Sequence, residues 1–503
     1  MKKVLLLIGF IVSAFLLAAQ NPGDLNTDFG NNGLIIENWT DTISRAYDVG
    51  IQSDGHLIVA GHLQLSTEKD VYIASLDNEG LPCNFGNFSR GFTYSLSTDD
   101  EFITAVKILA DDKILVAGHW VQMAPEAFVV RFLANGEPDE SFAENGVFDL
   151  GENYMEVEEV DVYGTGEDYK IVIAGKSYSG YPMLVMINQD GTLVTPFGDE
   201  GIVTFGEVGE FTDIVIDNVN NVLYGTMSLG GGIAVIAKYN LENGTPVSAF
   251  GSSGFISSEA LGVEMELNAI SLDIDNQLLA AFGEYMHVEG DLDMCALRVN
   301  ADDGSIDNTF GINGWSWLRS AGSDELLKSV ILQSDGKYYI GGISNLNGNY
   351  DFLVGRLTNT GIGDNTFGVG GLMLLPVPTD QYIGNIALNP DETVLYAAGY
   401  SSTAEDAAIT IAAFHTTEVT GIGKTENTVS LYPNPARNYT IIETGSAGTH
   451  SVCITDISGR VIARHMFNSE RCTLDVSNLA PALYFINVSS TGNHTLTGKL
   501  VIK

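Results

Sequence analysis

At 503 residues the chain has room for about three domains, or for one large repeat array with an appendage. Hydrophobic residues make up 45% and charged residues 17%, which excludes a disordered chain. The 23 Lys+Arg against 64 Asp+Glu leave a formal net charge of −41, a surface that repels phosphate backbones and excludes nucleic acid as a partner.

Residues 1–19, MKKVLLLIGFIVSAFLLAA, have the layout of a cleavable export signal. Lys2 and Lys3 supply the positive start, Val4 to Leu17 the apolar stretch, and Ala18-Ala19 the small residues before the cut. No later run reaches 18 apolar residues, so no transmembrane segment is expected after signal removal. Four cysteines in a chain this long rule out a disulfide framework.

From residue 20 onward the sequence repeats. A Phe-Gly motif recurs seven times, centred on Phe29, Phe85, Phe142, Phe197, Phe250, Phe310 and Phe367, with a mean period of about 56 residues. A second landmark of the form V-A-G follows each Phe by about 32 residues and is clearest at Gly61, Gly118 and Gly175. Between landmarks the pattern is β throughout. In unit one, Leu34-Ile35-Ile36 is followed by AYDVGIQ, HLIVAG and DVYIASL, and Asp54-Gly55 joins the middle pair as a hairpin turn. Four short strands in each of seven units predict a seven-bladed β-propeller over residues 20–419, because one small sheet cannot bury both faces alone. The buried aromatic is expected to plug the wedge between blades, and the glycines after it to supply turns with positive φ.

Units of the form D-x-x-F-G-x-x-G, followed by Q-x-D-G-x-x-x-V-A-G, resemble the bacterial delta-60 repeat family over roughly residues 22–418. Unit one (Asp54, Gly55, Ala60, Gly61) and unit six (Asp335, Gly336, Arg356) match best. Unit four departs most, with Asp217-Asn218 where the Asp-Gly turn would stand. The resemblance implies a β-propeller-like architecture in a secreted protein and no particular activity.

Charge changes abruptly near residue 425. Residues 20–424 carry 15 Lys+Arg against 59 Asp+Glu, whereas residues 425–503 carry six against five. The Gly/Thr-rich stretch 420–427 reads as a linker, and 428–503 alternates as a small Ig-like β-sandwich would. Its landmarks are Tyr432-Pro433-Asn434-Pro435, then Asp456 to Gly459-Arg460, then the closing strand from Lys499 to Lys503. Together they are similar to the C-terminal sorting domain of proteins exported by the type IX secretion system of Bacteroidetes. The resemblance implies passage through the periplasm and outer membrane, with the type IX machinery as partner and the cell surface or medium as destination. Ala482 stands where that family usually has Gly before its Tyr, here Tyr484. Cys453 and Cys472 are close enough in sequence to pair in an oxidising compartment, or to remain two free thiols.

Chemistry is sparse. No metal-protease, nucleophile-elbow, phosphate-loop or complete calcium-loop motif occurs, so no catalytic residue, cofactor or metal ligand is assigned. Calcium stays open only because the propeller is so acidic; Asp302-Asp303-Gly304 and Asp273 to Asn276 read better as strand-joining turns. The residue after each V-A-G glycine varies where the scaffold does not: His62, His119, Lys176, Met227, Glu284, Ile343 and Tyr400. A varied ring on a fixed scaffold suits a binding face, so His62, His119, Trp120, Trp315 and Trp317 are the candidate recognition residues, against the alternative that these aromatics pack between blades. The expected function is a non-enzymatic binding protein for a glycan, a peptide or another surface protein. The alternative is a glycosidase or lyase, which needs carboxylates converging on the axis from equivalent positions of different blades.

Overall fold

The computed structural model describes residues 20–418 and 429–503. Short internal stretches are outside the description (38–42, 65–68, 87–90, 95–99, 122–123, 152–154, 167, 287–289, 319–321, 403–405, 433, 444–448, 457–460 and 491–494). The expected signal segment and linker, and Pro433, Gly459 and Arg460 of the tail motif, therefore lie outside the described residues.

Gln20–Glu418 form one compact unit of seven four-stranded antiparallel sheets. Each sheet is a blade. Its innermost strand lies beside the innermost strands of the blades before and after it, in a closed ring. These inner strands are Ser44–Ile51, Asp100–Ile108, Met155–Tyr163, Gly209–Asp217, Met265–Asp273, Glu325–Leu332 and Asp380–Leu388. Six blades take four consecutive strands, with an outermost strand of only three or four residues. The seventh is built from both ends of the unit. Val394–Ser402 and Ala407–His415 complete its hairpins, and its fourth strand is Leu34–Glu37, paired from Leu34↔Ala412 to Glu37↔Ile409. The sequence unit is thus out of phase with the blade by one strand: the run after each Phe-Gly motif is the outer strand of the preceding blade.

All seven motif Phe side chains are at most 2% exposed. Each is sandwiched between two blades. Phe310, for example, lies among Ala280 and Phe282 of the fifth and Tyr338, Ile340 and Leu353 of the sixth. Phe29 fills the seam, among Tyr396 and Ile411 of the seventh blade and Val49 and Leu57 of the first. The residue after each Phe is left-handed, with φ between 45° and 57°; it is Gly in six units and Ala143 in the third. That conformation aims its N–H at a carbonyl of the next turn, repeating as Gly30 to Glu79, Gly86 to Asn135, Ala143 to Asp190, Gly198 to Asn243, Gly251 to Asp303 and Gly311 to Thr360. The seventh repeat of this bond, Gly368 to Pro22, ties the last unit to the chain's first turn.

Three blades add a buried arginine. Arg131, Arg298 and Arg356 pair with Asp139, Asp307 and Asp364 of their own Phe-Gly motifs at 2.7–2.9 Å. Each also donates to a carbonyl of the next unit, on Gln189, Asn359 and Thr416 respectively. The Asp three residues before Phe is therefore a blade-to-blade fastening and not a surface acid.

The tail within 429–503 is a two-sheet sandwich. A three-stranded sheet holds Ser430–Tyr432, Tyr439–Glu443 and Arg471–Asp475; a four-stranded sheet holds Val461–Asn468, Thr449–Asp456, Leu483–Ser490 and Thr495–Val501 in that order. Ile442 and Leu474 of the first face Val452, Ile454, Ile486 and Val488 of the second across a buried core. Tyr484 is buried in the same core and donates its hydroxyl to the Ala480 carbonyl at 3.0 Å. Asn434 clamps the closing strand, donating to the Lys499 carbonyl at 2.6 Å and accepting from the Val501 N–H at 2.9 Å, while Lys499 and Lys503 are exposed. Cys453 and Cys472 lie in different sheets and are free thiols, so the bridge considered from sequence is not formed.

Candidate functional site

Every inner strand carries one extra residue at the same point of its length. The bulged residues are Tyr47, Thr104, Glu158, Thr212, Asn268, Lys328 and Gly384, one per blade, and they line a central channel of about 680 Å³. A bulge re-aims side chains toward the axis, and it also explains the V-A-G landmark. The glycine opposite each bulge lies under an inner-strand carbonyl that a Cβ would overlap, as at Gly61 against Arg45 and Gly399 against Tyr382. Unit four departs: Met227 occupies the glycine's place opposite Phe211, so the ring residue there is Ser228 and not the expected Met227.

The residues just past the bulges form a deeper layer: Asp48, Ala105, Glu159, Asp213, Ala269, Ser329 and Asn385. Two of its acids fasten blades to one another. Asp48 accepts from the backbone N–H groups of Val49 (2.6 Å) and, in the next blade, Val106 (2.5 Å). Asp213 does the same with Ile214 and Ile270, both at 2.7 Å. Asn385 donates to Asp48 at 2.5 Å, and Ser329 donates to Asn385. One step further along, Lys107 meets Asp161 at 2.6 Å.

Burial is the largest influence on the deeper acids. It holds Asp48 up at about 6 and Asp213 at about 7, against the hydrogen bonds and Lys107. Glu159 is raised well above the carboxylate range by burial and by the charges of Asp213 and Asp48. In the bulge layer Glu158 is pushed up to about 7, first by burial and then by Glu210, with Lys328 and Lys176 opposing. Neither Glu158 nor Lys328 makes a hydrogen bond or ion pair to another described residue. At one side the wall is aromatic: Tyr382 and Tyr400 stack at 5.0 Å, and Tyr47 lies 5.9 Å from Tyr400. These axial groups carry no sequence motif. Their signal is that the inner strand's apolar alternation breaks at the same point in each repeat, visible only once the repeats are aligned by strand.

The recognition residues expected from sequence do not converge. His62 is 1% exposed, packed on Tyr47 and Phe102, with neither ring nitrogen hydrogen-bonded. Burial, aided by Lys69 and Arg45, holds it down at about 3, so the imidazole is neutral. His119 stacks on Phe102 at 5.6 Å and accepts from the Val157 N–H at 3.3 Å; burial lowers it as well. Trp120 stacks on Phe128 at 5.2 Å and donates to Glu126 at 2.8 Å. Trp315 and Trp317 lie on the outermost strand of the fifth blade, stacked on each other at 5.7 Å, away from the channel. The acidic turn segments are spent locally: Asp303 caps the Ser305 N–H at 2.9 Å, and Asp273 holds Asn276. Among the described residues no group of His, Cys, Asp and Glu has the arrangement of a metal site.

Residues 430–503 match the family described as a secretion system C-terminal sorting domain. Residues 109–142 and 333–367 match a β-propeller domain of unknown function, DUF5122. Among curated proteins no sequence relative matches. Similar solved structures include the Dos1 propeller, at 10% identity and TM-score 0.42 over 73% of this chain and 77% of that one. PorZ, a surface component of the type IX secretion system of Porphyromonas gingivalis, is 12% identical with TM-score 0.22 over 91% and 75%. A prolyl endopeptidase is 10% identical with TM-score 0.41 over 90% of this chain and 55% of that one. No helix of the described residues is long and apolar enough to cross a membrane. Blades at one end and a sorting tail at the other identify the chain as a β-propeller protein of the type IX export route, sent through the periplasm to the outer surface or the medium.

Proposed function

We propose that this protein is a non-enzymatic recognition module at the cell surface or in the medium, and that its axial channel takes a polar ligand such as part of a glycan or peptide. The observation that carries this reading is the channel itself. All seven inner strands line it, and its bulge layer holds two polar side chains, Glu158 and Lys328, that make no hydrogen bond or ion pair to another described residue. A ligand entering there meets a carboxyl, an ammonium and an arc of three tyrosines, enough to orient a hydroxylated or amide-bearing group. Of the varied ring, Ile343 and Tyr400 reach the channel wall, while the Phe-Gly and V-A-G landmarks hold the scaffold. A scaffold that leaves loops and inner positions free to vary suits a surface binding protein.

The enzymatic alternative has one observation in its favour: Asp48, Glu159 and Asp213 do come from equivalent positions of different blades. Asp48 and Asp213, however, each accept an N–H from the next blade, which makes them fastenings, and Glu159 accepts one from its own neighbour Val160. Glu158 is the acid left for chemistry, and a glycosidase needs two. The test is a glycan and peptide array probed with the exported protein and with a Glu158→Gln/Lys328→Met double variant. A hit that falls at least about tenfold in the variant supports channel recognition. A hit untouched by the variant, or a blank array, overturns it; turnover of any bound glycan moves the reading to an enzyme.

A further inference from the structure

We propose that the axial channel is proton-coupled: Asp48, Glu159 and Asp213 share protons in mildly acidic medium and give them up as it turns alkaline, switching the channel from nearly neutral to strongly anionic. This concerns the regulation of the channel read above as the binding site, but it holds or fails without any ligand.

The geometry behind it is a charge imbalance fixed by the ring. Asp48 comes from the first blade, Glu159 and Asp161 from the third, Asp213 from the fourth, and among the described residues the one cation facing them is Lys107 of the second. Lys107 is committed to Asp161 at 2.6 Å. The other inner strands offer no compensation at this depth, since they present Ala269, Ser329 and Asn385. Of the remaining charged groups, Glu158 and Lys328 belong to the bulge layer, and beside it Lys176 bridges Glu156 and Glu210 at 2.8 Å each. Three carboxyls in one another's field, Asp48 buried and Glu159 and Asp213 half-buried in the channel wall, cannot all ionise cheaply, and the electrostatics agree in placing Asp48 near 6, Asp213 near 7 and Glu159 higher than an ordinary carboxyl. The protons belong to the group as a whole rather than to one acid.

The sign follows from linkage. These acids hold protons in the folded chain at a pH where the unfolded chain, titrating near 4, has lost them. The folded state therefore binds more protons between about pH 4 and 7, and stability declines as pH rises through that window. Any cationic ligand would be held in the alkaline state and released in the acid one.

The experiment is a proton-uptake titration of the intact exported protein between pH 8.5 and 5, alongside thermal melts over the same range, for wild type, Asp213→Asn and Lys107→Met. The expected result is uptake of roughly four protons centred near pH 6–7, from Asp48, Asp213, Glu158 and Glu284, with a melting temperature that falls as pH rises. Asp213→Asn should remove about one proton of that step. Lys107→Met should move the step to higher pH by about one unit, because the cation that favours the ionised acids is gone. Repulsion over the whole acidic surface would also lower stability at high pH, but it would not respond to this one channel lysine. A step unchanged in Lys107→Met, or no step in wild type, overturns the proposal. A blank ligand array beside an intact proton step overturns only the binding reading.

Discussion

Asp364 shows how a motif position that looks like surface decoration is tied into the core. Its carboxylate pairs with Arg356 at 2.9 Å, accepts from the Thr366 N–H and hydroxyl, and both ion-pair partners are at least nine-tenths buried. Arg356 reaches on to the Tyr339 hydroxyl and the Thr416 carbonyl and lies over the Phe367 ring at 5.0 Å. Removing one member strands a buried charge, so Asp364→Ala should lower the unfolding free energy by about 3–5 kcal/mol. Replacing both members, as Asp364→Leu/Arg356→Met, should cost less than the single change. Urea unfolding of the three proteins decides it, and a single variant as stable as wild type would show that the pair holds nothing. The homologous Asp139 gives the acid limb of the same physics. Burial raises its carboxyl, but Ser141, Arg131 and Lys113 outweigh burial and hold it at about 2, so what it contributes is present above the ordinary carboxylate range and lost as pH falls toward 2. That limb runs opposite to the channel acids.

At the level of strands, the inner-strand bulge and the V-A-G glycine are two halves of one device. The extra residue turns the axial side chains inward and swings a carbonyl over the neighbouring strand, where six of seven blades provide Gly. Gly118→Ala would drive a methyl group into the Phe102 carbonyl and the Phe128 ring, in a strand with no exposed neighbour to yield. The expected cost is about 1–3 kcal/mol by overpacking, read as a lower urea midpoint with an unchanged slope, and an unaffected midpoint would mean that the bulge can relax. Much of this was legible beforehand. The seven Phe positions, the turn glycines and the four-strand count can be taken directly from the chain, because each is demanded by local geometry that one residue type satisfies. The blade boundary was not legible, since a three-residue outer strand such as Val147–Asp149 reads the same whichever neighbour it pairs with. Nor was the axial acid layer: Asp48 and Glu159 look like ordinary polar alternates until the bulges bring them round to one axis.

For the whole propeller, closure is the step on which everything else depends, because an open ring leaves a sheet face bare at each end of the array. The seam is made by chain that precedes the first blade. Residues 20–37 supply the Pro22 carbonyl to Gly368, the Phe29 wedge and the fourth strand of the seventh blade, while Asn26 and Asp24 exchange backbone bonds with Ala413 and His415. The last blade cannot be completed until the end of the propeller has emerged, so folding of the ring waits on sequence nearly 400 residues away, an expensive loop to close and a slow topology. A chain lacking residues 20–37 loses a fully buried Phe, by itself worth about 3–5 kcal/mol, together with a strand pairing on the seventh blade. Its melting transition should move sharply down and broaden, and limited proteolysis should cut first between residues 380 and 415. Supplying residues 20–37 as a separate peptide should restore the transition in part, since the seam is a surface the rest of the ring already presents. A truncated ring that melts with wild-type midpoint and protease pattern would mean that the seventh blade stands without its borrowed strand, and that the first and last blades hold together through their inner strands alone.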